Sequence, residues 1–472
     1  MHRVEKESRW SQQLPRKVRR CFSTSSITIS ISSRKPRHEN QFSRLGFEKE
    51  DSVRVSKTKK NRKTLVVKFG GTSLADSERV SKAASSVVGE AKKGSKIAVV
   101  VSAMGKMTDQ LLETTLNLSP VSNENPKALD DILSMGERTS ARVFRAALKS
   151  KGVDSRYFDP TDNDWPIITD HSYGNAKPLK SECRGRIKSS ILPLWAKGIV
   201  PVIPGFIGKT LDGRITTIGR GGSDTTAFVL AEALNADEVV LVTDVPGIMT
   251  ADPKIVKSPR ILQTIRAESL AGLADSGAKF MHKKALKYKP KSIDVRVISS
   301  KPGRIDISGT IVTDEFSVDV GVYLASAHPV AILTVLGDNI SSEPTIISEI
   351  SRRLKASRVH VLGLTANTNS MIIYLPNDLP KSLLNSIHAI VVKHKKALAM
   401  ALKRNKAIIR INGVELEDTP GMIGRISEPL RNNRINISGI FTIASSITVL
   451  VDWNHRAKAM ESIKKSLKEV IA

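Results

Sequence analysis

The sequence predicts an α/β domain with a mainly parallel central sheet, followed by two smaller modules of α+β type. An apolar strand at residues 65–69, a helical segment and a second apolar strand at 97–101 follow one another, and this βαβ order implies parallel strands. The alternation continues to about Thr313. Two weakly similar copies of a βαββα order then occupy the remaining residues, which indicates tandem ligand-binding modules.

The first helix of the α/β domain has sequence signals at both ends. Val80, Ala84 and Ala91 recur at helical spacing, Asp76 precedes them as a candidate N-cap, and Gly94 follows them as a stop signal. The later segments are predicted as a helix around 128–147, a strand at 199–203, a helix at 225–234 and a strand at 238–242. We expect this domain to span residues 63–318.

The two C-terminal modules are predicted at residues 325–400 and 401–472. The expected order in the first is a strand at 330–335, a helix at 344–354, strands at 359–364 and 371–375, and a helix from about Pro380. The expected order in the second is a strand at 407–411, a helix at 420–431, strands at 435–440 and 447–451, and a helix from His455.

The chain carries a formal net charge of +28, which raises the question of a nucleic-acid partner. Residues 1–63 hold 18 Lys and Arg against 6 Asp and Glu, so much of the excess lies in one terminal segment. Only four Trp and five Tyr accompany the basic residues, and no zinc-finger or RNA-recognition signature occurs. We expect a basic surface suited to anionic ligands, without specific nucleic-acid binding. A nucleic-acid binder is the alternative.

Residues 1–62 are rich in Arg, Lys and Ser and lack hydrophobic periodicity, so we expect a disordered basic extension. Its acid-free part, 16–37, is similar to an organelle transit peptide, although Glu5 and Glu7 oppose that interpretation. The two cysteines offer neither a disulfide framework nor zinc-ligand spacing. No apolar run reaches the roughly 18 residues of a membrane helix. We expect a cytoplasmic protein without membrane contact, with a plastid location as the alternative.

The segment at 67–73, Val-Lys-Phe-Gly-Gly-Thr-Ser, has the composition of a phosphate-binding turn. Two glycines after a strand let backbone N–H groups approach a phosphate, and the N-terminus of the next helix favours negative charge. Lys68, at the strand end, can neutralise charge that grows on a transferred phosphoryl group. The alternative is an ordinary strand-to-helix turn with an exposed lysine.

A second glycine segment occurs at 217–226, Thr-Ile-Gly-Arg-Gly-Gly-Ser-Asp-Thr-Thr. Arg220 can clamp a carboxylate through two parallel hydrogen bonds, and Asp224 can orient a phosphate-bound lysine or hold Mg²⁺ indirectly. The alternative is an Asp-capped helix after a flexible loop. Two such segments in one domain favour phosphoryl transfer, with one segment serving each end of the reaction.

A third segment, 242–247, places Thr243 and Asp244 at a strand end before a Pro-Gly turn. The carboxyl edge of an open α/β sheet is where ligands bind, although an ordinary turn is a serious alternative. Neither a P-loop nor the protein-kinase motif set is present. A kinase of this sequence must therefore use another phosphate-binding scheme.

Together these segments resemble the amino acid kinase family, and within it the aspartate kinases. The resemblance runs from residue 65 to about 313, and the two C-terminal modules are similar to ACT regulatory domains. Further matching segments are 101–104 with Thr108, 133–138 around Glu137, Phe206 with Gly208, and 277–279. The resemblance implies an αβα sandwich with a mainly parallel sheet, followed by two ferredoxin-like ACT domains.

The resemblance also implies ATP- and Mg²⁺-dependent phosphorylation of the side-chain carboxylate of L-aspartate, the first step towards lysine, threonine and methionine. Lys68 and Asp224 would be catalytic. The implied contacts with L-aspartate involve Thr72, Ser73, Thr108, Glu137, Phe206, Arg220, Gly221, Gly222 and Ser223. The implied contacts with the nucleotide involve Lys68, Gly70, Gly71, Ser73, Thr243, Asp244, Met249, Lys254 and Lys279. No protein side chain is predicted as a direct metal ligand.

Two residues on the nucleotide side depart from the family pattern. Met249 stands where an aromatic residue is usual, and Lys254 replaces an arginine, so it would contact phosphate as a point charge. In the C-terminal modules, segment 418–421 matches an ACT loop, whereas 337–339 and 366–368 deviate. The resemblance implies a homo-oligomer formed through ACT domains and a lysine or threonine effector. A purely structural ACT pair is the alternative.

Two other functions fit parts of the same pattern. The chain could be an amino acid kinase for glutamate, acetylglutamate or a nucleoside monophosphate. It could also be an amino-acid sensor with an inactive kinase domain, which the changes around Met249 and after His282 would favour.

Overall fold

A computed structural model of the chain describes residues 62–118, 125–275, 281–314, 321–413, 420–443 and 446–471. The predicted basic extension, apart from Arg62, lies outside the described residues, and so does Lys279. Asp418 and Thr419 of the predicted ACT loop also lie outside them.

The helices of the described residues alternate with strands as far as Thr313. In chain order they are α1 (Ser77–Lys92), α2 (Met107–Leu118), α3 (Pro126–Ser150), α4 (Lys180–Ala196), α5 (Gly222–Leu234), α6 (Ala267–Asp275), α7 (Lys283–Leu286), α8 (Pro344–Ala356), α9 (Lys381–Lys393), α10 (Met422–Asn432) and α11 (Arg456–Ile471). Within the described residues, none of these helices combines the length and the apolar character needed to cross a bilayer.

The strands form two large sheets and one small hairpin. In chain order they are β1 (Thr64–Phe69), β2 (Lys96–Val101), β3 (Ser155–Tyr157), β4 (Val200–Pro204), β5 (Ile207–Lys209), β6 (Ile215–Thr217), β7 (Glu238–Thr243), β8 (Thr264–Arg266), β9 (Asp294–Ser299), β10 (Thr310–Thr313), β11 (Gly321–Leu324), β12 (Val330–Gly337), β13 (Gly363–Asn367), β14 (Ser370–Pro376), β15 (Ala397–Asn412), β16 (Gly439–Ile443) and β17 (Ser446–Asp452).

The first sheet has eight strands in the order β3-β4-β2-β1-β7-β9-β10-β8. Strand β1 lies between β2 and β7 and is parallel to both, with Leu65 opposite Ile97 on one side and Glu238 on the other. Only the β9–β10 pair is antiparallel among the described strands of this sheet. The predicted mainly parallel sheet is therefore confirmed.

Both faces of this sheet are buried, as the continuous apolar strands require. Leu65, Val67 and Phe69 pack on the face that α1 and α3 cover, where Phe144 of α3 lies 5.3 Å from the ring of Phe69. The intervening Val66 packs on the other face, which α4 and α5 cover. The result is the expected αβα sandwich.

Helix α1 begins where its sequence signals place it. The side chain of Asp76 accepts a hydrogen bond of 2.8 Å from the backbone N–H of Arg79, and Gly94 after the helix has φ +92°. The left-handed conformation at Gly94 favours glycine and ends the helix.

We expect Asp76→Ala to lower the free energy of unfolding by about 1 kcal/mol, because one N–H group at the helix start loses its partner. Urea denaturation followed by circular dichroism measures this change. The control is Glu78→Ala in the same turn, which removes a carboxylate that makes no capping bond. Equal losses in the two variants would contradict the capping role.

The C-terminal sheet has seven antiparallel strands and is built around one long strand, β15. The N-terminal half of β15 pairs with β12, and its C-terminal half pairs with β17 and β11. The boundary predicted at residue 401 therefore falls inside one strand, and β11 precedes the first module in the chain but completes the second. The predicted division at 325–400 and 401–472 therefore has to allow for two strands: β15 is shared by both modules, and β11, before residue 325, belongs to the second.

Two strand predictions in these modules are wrong at their N-terminal ends. Strand β13 begins at Gly363 rather than at residue 359, and Val361 is 46% exposed at the edge of the sheet. Strand β16 begins at Gly439 rather than at residue 435. Ile435 is buried, yet its backbone N–H still bonds Leu430 O at the end of α10. In both segments the apolar residues follow a strand-like pattern, but their backbone does not pair with a neighbouring strand.

Candidate active site

The first glycine segment lies at the carboxyl edge of the parallel sheet. The backbone N–H of Gly70 donates a 3.0 Å hydrogen bond to Val242 O of β7, and Ser102 N donates 3.1 Å to Phe69 O. The turn after β1 is thus fixed between the ends of its two neighbouring strands. The adjacent residues Gly71, Thr72, Ser73 and Leu74 form a 3-10 turn, in which Thr72 is exposed and Ser73 is buried.

The two predicted glycine segments meet through an ion pair. Lys68 Nζ lies 2.6 Å from Asp224 Oδ1, and the two side chains are 16% and 14% exposed. Lys68 comes from β1, and Asp224 comes from the first turn of α5. The pair is largely removed from water, so Asp224 orients the Lys68 ammonium at the sheet edge.

Close backbone contacts join the loops after β1 and β2 to helix α3. A Cβ atom on Gly71 would lie 2.7 Å from Ala103 O, and a Cβ on Gly136 would lie 2.9 Å from the Ala103 Cβ. The Gly136 Cβ would also lie 3.1 Å from Thr108 Oγ1. Glycine at position 136 lets α3, which carries Glu137, approach Thr108 of α2 and the loop that holds Ala103, and glycine at position 71 lets the turn after β1 approach the same loop.

Glu137 is a buried carboxylate with unused hydrogen-bonding capacity. It is 5% exposed, and its Oε2 atom has no hydrogen-bond partner among the described residues. Burial raises the pKa of Glu137 to about 7, while a hydrogen bond from the Ala103 backbone and the positive charge of Lys68 oppose this shift. A ligand with an ammonium group would satisfy the unused oxygen.

We expect Glu137→Gln to alter the pH dependence of stability in the ligand-free protein. The pKa of this carboxyl is higher in the folded state than its unfolded value near 4.5, so wild-type stability falls as pH rises from about 5 to 7. This loss amounts to roughly 2–3 kcal/mol. Glutamine does not ionise, so chemical denaturation at several pH values should show a flatter profile. A profile identical to that of wild type would contradict the buried, raised pKa.

Phe206 has a backbone conformation that is rare for a side chain of its size. Its φ is +68°, and Ile218 N donates a 2.8 Å hydrogen bond to Phe206 O. A Cβ on Gly222 would lie 3.0 Å from Phe206 Cα, and a Cβ on Gly205 would lie 2.7 Å from the Ser223 Cβ. The strained turn therefore lies directly against the start of α5.

Arg220 projects from the second glycine segment without being engaged. Its side chain is exposed and makes no hydrogen bond or ion pair with another described residue. Gly219 and Gly221 on either side have φ +80° and +75°, and Gly222 N donates to Gly219 O at 2.9 Å. The segment forms a tight turn at the N-terminus of α5, where an anion is favoured.

The predicted nucleotide residues lie in three different settings. Thr243 ends β7, next to the glycine turn of β1, and its hydroxyl donates to Asp244 Oδ1 at 3.1 Å. Met249 is only 8% exposed and pairs with Ile261, whereas Lys254 is exposed. The structure therefore brings Thr243 and Asp244 to the sheet edge, while Met249 offers little surface to a ligand.

Asp130 and Lys284 are two buried charged residues beside the second glycine segment that no sequence motif predicts. They are 1% and 6% exposed. Burial raises the pKa of Asp130, although hydrogen bonds from Thr217 and Gly174 oppose this shift. One signal was available: Asp130 lies seven residues before Glu137 and therefore on the same face of a helix. Lys284 had no comparable signal, because its partners are distant in sequence.

The site combines groups that suit the transfer of an anionic group. A lysine, glycine N–H groups and a helix N-terminus converge at one sheet edge and can stabilise negative charge. A buried carboxylate and an unengaged arginine stand beside them and can hold an ammonium and a carboxylate. Among the described residues, no three His, Cys, Asp or Glu side chains are grouped to hold a metal ion.

Comparison with known proteins places the chain in one family and matches it to relatives that share a single name. Residues 63–299 match the amino acid kinase family. The chain is 30% identical over 410 residues to an aspartokinase of Bacillus sp. (strain MGA3), covering 85% of this chain and 96% of that protein. It is 31% identical over 416 residues to an aspartokinase of Mycolicibacterium smegmatis, covering 85% and 95%.

The fold is also similar to a solved structure. The crystal structure of aspartate kinase from Synechocystis superposes with a TM-score of 0.67 at 27% sequence identity, covering 85% of this chain and 69% of that one. The similarity extends beyond residue 299 and so includes a large part of the C-terminal modules.

Proposed function

Because the chain belongs to the amino acid kinase family, we propose that it is an aspartate kinase, which transfers the γ-phosphoryl group of ATP to the side-chain carboxylate of L-aspartate. The observation that carries this proposal is the Lys68–Asp224 pair beside the buried Glu137 carboxylate, whose Oε2 has no partner among the described residues. The first of these features suits phosphoryl transfer, and the second suits recognition of an amino acid.

The substrate is held by the two charged groups that it carries at its α-carbon. Glu137 accepts hydrogen bonds from the ammonium group, and Arg220 binds the α-carboxylate through its planar guanidinium. Thr72, Ser73, Thr108, Phe206, Gly221, Gly222 and Ser223 line the same site. The side-chain carboxylate then points towards the glycine turn after β1.

The chemical step needs no general base, because a carboxylate with a pKa near 4 is already ionised at neutral pH. One of its oxygens attacks the γ-phosphorus in line, an O–P bond forms, and the bond to the β-phosphate oxygen breaks to release ADP. Lys68 and the N–H groups of Gly70 and Gly71 stabilise the charge on the transferred group. Asp224 holds Lys68 in place, and the product is 4-phospho-L-aspartate.

Nucleotide binding is assigned to Thr243, Asp244, Lys254 and Lys279, together with the glycine turn, and Met249, which is 8% exposed, would add only a small apolar contact. Mg²⁺ would be bound together with ATP, since this ion usually keeps several waters and binds through substrate phosphates rather than an all-protein cage. Asp224, paired with Lys68, and Asp244, at the end of β7, are carboxylates at the sheet edge that would hold the ion through its water ligands. The ion would neutralise charge on the β- and γ-phosphates.

In metabolism, this reaction is the first step towards lysine, threonine and methionine. We assign the C-terminal modules to regulation by lysine or threonine and to homo-oligomer formation. Gly421, at φ +80°, precedes α10. In the first module, Asn339 N donates to Asn369 Oδ1 at 3.1 Å, which places segment 337–339 beside the residue that follows segment 366–368. Two measurements test this assignment. The first is the binding of labelled lysine and threonine to the protein, and the second is the kinase activity with and without each of these amino acids.

Trapping the acyl phosphate with hydroxylamine tests the proposed reaction. With MgATP, we expect hydroxamate formation from L-aspartate and none above background from L-glutamate or N-acetylglutamate. ADP release with nucleoside monophosphates is measured in parallel. Turnover of another acceptor without turnover of aspartate would reject the assignment. Effector binding without any turnover would instead support the amino-acid sensor.

A further inference from the structure

Asp130 and Lys284 lie beneath the loop that carries Arg220, and the proposed mechanism does not use them. The Asp130 carboxylate accepts hydrogen bonds of 2.9 Å from Gly174 N, 2.7 Å from Thr217 N and 2.7 Å from Thr217 Oγ1. It thus joins the exposed loop at residue 174 to the end of β6. Three donors to one buried carboxylate make a strong attachment point.

Lys284 also joins the loop at residue 174 to the end of β6. Its Nζ donates hydrogen bonds to Asn175 Oδ1 and to Ile218 O. Asp130 therefore bonds residues 174 and 217, and Lys284 bonds residues 175 and 218. Two buried residues of opposite charge therefore fix dipeptide 174–175 and dipeptide 217–218, and the second of these comes immediately before the glycine turn.

The glycine turn itself is enclosed on both sides. A Cβ on Gly219 would lie 2.7 Å from Gly174 O, and a Cβ on Gly221 would lie 2.7 Å from the Cβ of His282. The turn thus lies between the 174 loop and the segment that begins α7. The backbone of Arg220, between the two glycines, keeps its position only while both neighbouring segments stay in place.

We propose that Asp130 and Lys284 are positioning residues that fix the backbone turn from which Arg220 projects and so set the affinity for the α-carboxylate of the substrate. The inference rests on the proposed function. Helix α3 also carries Glu137, seven residues after Asp130 and about 10 Å further along the helix axis. One helix therefore determines the spacing of the two groups that grip the amino acid.

The first test separates substrate affinity from the chemical step. We expect Lys284→Met and Asp130→Asn each to raise KM for L-aspartate by about 10- to 30-fold, because small displacements of a clamping group are costly. We expect kcat to change by less than about threefold and KM for ATP by less than about twofold. Should either variant fail to fold, Thr217→Val removes one donor to Asp130 and should raise the aspartate KM by about threefold.

A double variant provides a readout that a merely structural role would not give. If Lys284 acts through Arg220, adding Lys284→Met to Arg220→Ala should raise KM for aspartate by less than about twofold beyond Arg220→Ala alone. Additive effects, or equal losses in the affinities for aspartate and ATP, would overturn the proposal.

Hydrogen exchange separates failure of this inference from failure of the proposed function. In Lys284→Met, amides of residues 217–223 should exchange at least about tenfold faster than in wild type, with exchange in β1 and β2 unchanged. Unchanged exchange would refute positioning even in an active aspartate kinase. Faster exchange in a protein that does not phosphorylate aspartate would refute the function and leave the positioning role standing.

Discussion

Replacing Lys68 with methionine should lower kcat for phosphorylation of L-aspartate by about 10³-fold, because the developing negative charge loses its nearest protein cation. Lys68 is 16% exposed and lies 2.6 Å from Asp224, which holds its ammonium group at the sheet edge. KM for aspartate should change by less than about threefold, since Glu137 and Arg220 hold that substrate. Single-turnover kinetics with labelled ATP measures the chemical step directly.

The matched control for this variant is Lys96→Met. Lys96 begins β2, the strand next to β1, but its side chain is exposed and lies at the opposite end of the sheet. It should keep kcat within about twofold of wild type. A Lys68→Met enzyme with near-normal kcat and unchanged thermal stability would eliminate Lys68 as the catalytic lysine.

Replacing Glu137 with glutamine should raise KM for L-aspartate by roughly 10²- to 10³-fold, because a buried ammonium would lose its charged partner. The wild-type enzyme should also show a pH effect that this variant lacks. Burial raises the pKa of Glu137 to about 7, so the carboxylate becomes protonated below that pH. Wild-type KM for aspartate should then rise about tenfold for each pH unit below 7.

The substrate carboxylates stay ionised throughout this range, so the pH effect reports the enzyme. At saturating aspartate the effect should vanish from kcat, because the bound ammonium stabilises the Glu137 carboxylate. The control is Glu90→Gln, a buried glutamate that is paired with Lys93 and Ser95 away from the site. If Glu137→Gln retained the wild-type rise of KM at low pH, another group would be responsible.

Much of the α/β domain could be predicted because its signals are local. The apolar run of β1 and the capping pattern of Asp76 and Gly94 depend on neighbouring residues, and the structure confirms each of them. The glycine segments around Gly70 and Gly221 could be found for the same reason, since a close approach or a positive φ requires glycine. Those segments also predict Lys68, Arg220 and Asp224 as site residues.

Strand boundaries were predicted less well in segments whose apolar residues can lie in a strand, at an exposed sheet edge or beside a helix end. Val361 and Ile435 fit a strand pattern, yet neither lies in a strand, because one is exposed at a sheet edge and the other packs beside a helix end. Periodicity cannot separate these cases. The long β15 and its pairing with β11 were also hidden, since strand pairing joins residues that are distant in sequence.

The amino-acid sequence by itself determined the class of the fold, the order of most elements and the glycine segments that point to phosphoryl transfer. Only the tertiary structure decided that Lys68 meets Asp224, that Glu137 is buried with an unused oxygen, and that Asp130 and Lys284 hold one loop. Local backbone preferences act between neighbours and leave a pattern in the sequence. Charge pairing and burial depend on contacts that exist only after distant strands and helices have packed together.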